Sequence, residues 1–190
     1  MTLQDQEFAV LRQTIAGRGT ARMVLLPATL FAWGALTLVI LLFGDVPVAS
    51  LISLAVLVGG FEAIHALHVG AERIGRYLQV YYEGHGDGPR WESTAMAVGP
   101  ALPGGGIDPL FSLVFAGVAF INLIPALLPA PTRLELGIIG VLHVLFVIRI
   151  VRARGAAARQ RAVELETVRA IHSQIPDPRS QSPDPKEEPS

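Results

Sequence analysis

Four apolar runs, each close to the thickness of a lipid bilayer, dominate this chain: residues 23–43, 48–69, 109–128 and 134–151. A hydrocarbon core of roughly 30 Å takes about 20 mostly apolar residues in helical form. Lipid offers the backbone no hydrogen-bond partners, so a spanning segment must satisfy its own, and runs of this length without alternation do so as α-helices. The first and third runs carry no charge; Glu62 lies in the second, and Glu135 and Arg149 in the fourth. The composition agrees, with 51% hydrophobic and only 16% charged residues, against about 25% charged in soluble domains. The expected fold class is all-α: a polytopic membrane protein built as a four-transmembrane-helix bundle with cytoplasmic amphipathic helices.

Arginine placement orients the spans. Arg12, Arg18 and Arg22 precede the first, Arg73, Arg76 and Arg90 lie between the second and third, and a run from Arg152 to Lys186 follows the fourth. The opposite connections, 44–47 and 129–133, hold Arg133 alone. The positive-inside rule then puts both termini and the central loop in the cytoplasm, as in a multi-pass protein of a bacterial plasma membrane. A cleaved signal peptide fits the first run poorly. Its apolar stretch is too long, and Asp5 and Glu7 occupy what would be the basic leader region.

Outside the spans the chain divides simply. Residues 1–22 carry Phe8, Leu11 and Ile15 at helical spacing, which predicts an interfacial helix on the cytoplasmic side. Residues 23–151 form the bundle, with a cytoplasmic loop over 71–108. The start of that loop continues the second helix and brings Tyr77, Tyr81 and Trp91 forward as interfacial anchors, since an aromatic ring with one polar edge suits the headgroup level. The glycine-rich 84–88 has neither the preceding strand nor the following helix of a phosphate cradle, and it is expected to be a turn. Residues 152–173 have helical composition and extend the fourth helix. The proline-rich polar tail over 174–190 is expected to be disordered.

Ionisable groups at membrane depth are costly and therefore point to function or to pairing. Glu62, His65, His68 and Glu72 fall with Arg73 and Arg76 on one helical face, within roughly 140° of one another. They form a polar stripe descending toward the cytoplasm. Arg149 lies about 22 Å from the outer end of its span, much the depth of Glu62, so a Glu62–Arg149 pair between helices is expected. His143, near mid-membrane, is expected to make an interhelical hydrogen bond, as is Asn122. A sharper reading uses His65, His68 and His143, with Glu62, as ligands of a metal or a haem. The Glu62-x-x-His65 spacing is that of carboxylate di-iron bundles, but such sites need a second copy of the motif.

Function follows mostly by exclusion. A net charge of −1 offers no field for nucleic acid, and no nucleic-acid partner is expected. With no cysteine there is no disulfide, thiolate ligand or thiol nucleophile. No HExxH or nucleophile-elbow motif of an integral membrane enzyme occurs. The reading is a non-catalytic subunit or scaffold of a membrane complex, with the lipid bilayer and a membrane-protein partner or a second copy as its neighbours. The alternatives are a haem- or metal-binding redox protein and a small transporter or proton conductor using Glu62.

Overall fold

The computed structural model describes residues 3–43, 46–83, 91–98 and 110–174. Every regular element among them is helical: α1 (Leu3–Phe43), a 3-10 turn (Pro47–Ala49), α2 (Ser50–Tyr81), α3 (Trp91–Val98), α4 (Ser112–Ile121), α5 (Ile124–Leu127) and α6 (Arg133–Gln174). The stretches Leu3–Phe43, Pro47–Tyr81 and Arg133–Ala156 contain the helices long and apolar enough to cross a membrane. The protein is an all-helical membrane protein. The glycine-rich 84–88 and the tail beyond Gln174 lie outside the described residues.

The long helices exceed any bilayer. At 1.5 Å per residue α1 and α6 are each about 60 Å long and α2 about 48 Å, against a hydrocarbon core of roughly 30 Å. Residues 1–22, expected as a separate surface helix, are continuous with the first span from Leu3 onward, and Pro27 sits inside α1 without ending it. Residues 152–173 likewise run on from the fourth span within α6.

Side-chain pairs set the register. Thr29 lies against Gly60, Arg18 against Gly70, Arg22 against His68 and Glu7 against Tyr77, so α1 and α2 are antiparallel. Glu62 faces Arg149, Arg76 faces Glu164 and Tyr81 faces His172, so α2 and α6 run in the same direction. The α1–α2 seam has two close approaches at glycine, Thr29 against Gly60 and Arg18 against Gly70. A Cβ on Gly60 would collide with the Thr29 side chain, whereas a Cβ on Gly59 would meet open space. The close approach of α1 to α2 at this level is thus made by Gly60 and not by its neighbour Gly59.

The third apolar run is broken rather than straight. α4 stops at Ile121 and α5 begins at Ile124. Pro125 explains the break: its ring clashes with the carbonyl four residues back, which is that of Ile121, and it has no N–H to bond there. The two helices cover residues Ser112–Leu127, about 24 Å of helix rise if laid end to end.

The core lies where α2, α4 and α6 meet. Phe61 is fully buried, with Phe115 (5.4 Å, edge-on) and Phe146 (5.9 Å, edge-on) against its ring. Leu54, Leu57, Ile64, Leu110, Ala119, Ile150 and Ala153 complete this cluster. Burying each such side chain contributes of the order of 1.5–3 kcal/mol in water; between lipid-facing helices the gain is close packing instead. The opposite faces of α1 and α6 remain exposed through Phe31, Leu38, Leu42, Val141, Val144 and Val151, an apolar surface that suits lipid.

Candidate functional site

Two polar groups sit at membrane depth. The deeper one is centred on Asn122, at the break between α4 and α5, and is fully buried. Its Oδ1 accepts from Trp33 Nε1 (2.9 Å) and Ser53 Oγ (2.7 Å). Its Nδ2 donates to the Ser50 carbonyl (3.1 Å) and to His143 Nε2 (3.1 Å). The amide orientation is fixed, because turning it over would set Trp33 N–H against an NH2 group. His143 Nδ1 is 2.8 Å from the Ile139 carbonyl, which can only accept. Nδ1 therefore carries the hydrogen and Nε2 is the bare acceptor. One side chain thus ties α1, α2 and α6 to the α4–α5 break with every hydrogen-bonding position of its amide used.

The second group lies farther along α2 and α6, toward the C-terminal end of α2. Arg149 Nη2 is 2.8 Å from Glu62 Oε2 and 3.4 Å from His65 Nδ1, and its guanidinium lies 5.9 Å from the Phe61 ring centre. This is the pairing that depth counting along the two helices anticipates. Both side chains are only partly covered, at 41% and 40% exposure, so the pair opens to the bundle surface instead of being sealed in the core.

Farther along, polar contacts hold the helices together beyond the hydrocarbon. Arg22 Nη1 donates to His68 Nδ1 at 3.0 Å. Arg76, nearly buried, bonds Glu164 and lies 3.3 Å from Glu72, and Arg73 reaches Glu164 at 3.3 Å. Glu83 accepts from the Glu92 and Ser93 backbone N–H groups (2.5 and 2.8 Å) and so caps α3. Arg12 pairs with Glu92 at 3.0 Å and lies over the Trp91 ring. Burial pushes the Glu92 carboxyl above its ordinary value, and Arg12 offsets part of that. Tyr77 Oη donates to Glu7 at 3.0 Å. Burial, then that hydrogen bond, raises its phenol.

The proposed anchors fall within this extension. Tyr77 stacks on Tyr81 at 4.4 Å and Tyr81 meets His172 edge-on at 4.5 Å. Counted from Pro47, Tyr77 is about 45 Å along α2, past a core of roughly 30 Å. Its neighbours are other helices. Trp91 is exposed, at the start of α3.

The predicted histidines are not gathered around one point. Both His143 nitrogens are committed within the Asn122 network, His65 Nδ1 turns to Arg149 and His68 Nδ1 to Arg22. Among the described residues no three His, Cys, Asp or Glu groups come together as metal ligands do. The sequence reading missed the partners Trp33, Ser50 and Ser53, and it also missed a capping box. Thr132 N donates to Glu135 Oε2 (2.8 Å) and Glu135 N to Thr132 Oγ1 (3.3 Å), which starts α6. The Thr-x-x-Glu spacing before an apolar run was the available signal.

Fold and polar contacts define a helical membrane protein, locked by one buried amide and carrying an ion pair at membrane depth. No family model, curated protein or solved structure matches the chain.

Proposed function

We propose that this is a four-pass protein of a bacterial plasma membrane, with both termini and the central loop in the cytoplasm, acting as a non-catalytic subunit or scaffold. The observation that carries the reading is the continuation of α1, α2 and α6 past hydrocarbon length into a packed, charged stalk. Such a stalk presents a fixed surface, including exposed Val10, Val163 and Ile171, to a membrane-protein partner or a second copy. The fourth crossing is supported by the shared direction of α2 and α6. A chain leaving α2 beside His172 must travel back to the far end before Arg133. Leu110 belongs to the same buried cluster as Ile150 and Ala153, while α5 packs against the Pro47–Ala49 turn, so the broken segment has neighbours at both ends of the long helices.

Two measurements test the reading. Single cysteines in this cysteine-free chain should be labelled from outside at Pro131 and only after permeabilisation at Ser93; outside labelling at Ser93 overturns the topology. Gentle solubilisation should yield a stoichiometric complex that Val163→Asp with Ile171→Asp disperses. A monodisperse single chain refutes the scaffold role. The half-exposed Glu62–Arg149 pair, with His65 beside it, favours one second reading, a small proton conductor or transporter. Glu62→Gln should then abolish flux into liposomes, and unchanged flux removes that alternative.

A further inference from the structure

Arg18 and Arg22 are one helical turn apart on α1, and both turn toward α2. Counting from Phe43, they lie about 37 and 31 Å along the helix, which brings them to the cytoplasmic headgroup level of a core of roughly 30 Å. Arg18 lies flat against α2 only because Gly70 has no Cβ; a Cβ there would strike the guanidinium. Arg22 is held by His68, a hydrogen bond between two groups of which neither is an anion. Of the carboxylates nearby, Glu72 lies 3.3 Å from Arg76 and also acts electrostatically on Arg22, Glu164 is held by Arg76 and Arg73, and Glu92 pairs with Arg12. Among the described residues, neither Arg18 nor Arg22 is in an ion pair.

The two guanidinium groups, one helical turn apart, each meet α2, Arg18 at Gly70 and Arg22 at His68, so both lie in the crease between α1 and α2. A phosphate there can accept from both forks, a planar, multidentate contact for which arginine is preferred over lysine. We propose that Arg18 and Arg22, backed by Gly70 and His68, form a clasp for a phosphate group at the inner headgroup level. The depth of the two residues makes an anionic phospholipid of the cytoplasmic leaflet the expected source. The clasp rests on the proposed topology, which sets its leaflet, and is independent of the scaffold role.

The test is lipid retention by the full chain, measured by native mass spectrometry after titration with phosphatidylglycerol or phosphatidylcholine. Wild type should retain phosphatidylglycerol in preference, and Arg18→Gln with Arg22→Gln should weaken retention about tenfold. Arg152→Gln with Arg154→Gln is the matched control, removing the same charge at similar depth from an exposed face of α6. Gly70→Ala, which displaces Arg18 while leaving both charges in place, should also weaken retention, and it decides the matter if the double variant does not fold. Displacement of the lipid by inorganic phosphate assigns the clasp to a soluble phosphate; no displacement assigns it to the lipid. Equal losses in both double variants, or none in Gly70→Ala, overturn the proposal.

Discussion

Replacing Asn122 by leucine isolates what the buried amide contributes, because the two side chains are nearly the same size and differ in their hydrogen-bonding groups. Four contacts disappear: those to Trp33, Ser53, the Ser50 carbonyl and His143. Interhelical hydrogen bonds in membranes average about 0.6 kcal/mol each, with a maximum near 1.7, so four amount to about 2.5 kcal/mol. His143 Nε2 is also left buried without a donor, and an orphaned polar group adds about 1–3 kcal/mol. The expected loss is about 3–5 kcal/mol, read as the change in unfolding free energy by steric trapping or by denaturation in mixed micelles. Trp33→Phe should lose one bond, about 0.6–1.7 kcal/mol. In an Asn122→Leu background the same substitution should cost almost nothing, since its acceptor is already gone. A loss under about 0.5 kcal/mol for Asn122→Leu, or full additivity with Trp33→Phe, would falsify the network as the lock of the bundle.

Four further outcomes follow from the same structure. Gly60→Val should loosen the α1–α2 hairpin by about 1–3 kcal/mol through overpacking against Thr29, and Thr29→Ala should restore part of it; equal melting with and without the second change rejects the close approach. Arg149→Leu should cost about 1–2 kcal/mol, below the figure for a sealed pair because both partners are about 40% exposed, and adding Glu62→Leu should recover stability instead of losing more. Glu92 holds its proton more tightly folded than unfolded. Its contribution is therefore present below its ordinary value of 4.5 and fades as pH rises through the elevated one; amide exchange of α3 should follow that trend in wild type and lose it in Glu92→Gln. Ala130 has a left-handed backbone (φ 53°), so Ala130→Gly should stabilise the α5–α6 turn by up to about 1 kcal/mol in thermal unfolding, and a fall in stability contradicts the strain.

The parts of this architecture legible in sequence are those set by one-dimensional physics. Run length selected helices, and counting 1.5 Å per residue from the ends of the second and fourth runs brought Glu62 and Arg149 to one depth. Rotation about a helix axis is not readable in that way. Asn122 and His143 each announced a need for a partner, but which residue met which depended on how α4 was broken and turned. The break after Ile121 follows from Pro125, whose ring and missing N–H act on the carbonyl four residues back. Glu135 looked like a charge inside a span until its capping role took it to the first turn of α6. The stalk was least visible, since Tyr77, Tyr81 and Trp91 suit an interface as well as they suit neighbouring helices.

A helix that passes from lipid into water without a joint behaves as a lever with its fulcrum at the headgroups. Bilayers of different thickness are matched by tilting such a segment. With about 30 Å of α1 or α6 projecting beyond the bilayer, a tilt of about 10° swings the far tip by about 5 Å. The thickness of the surrounding lipid is thereby written as a position beyond the bilayer, where Glu7, Tyr77, Tyr81 and His172 keep the three tips moving together.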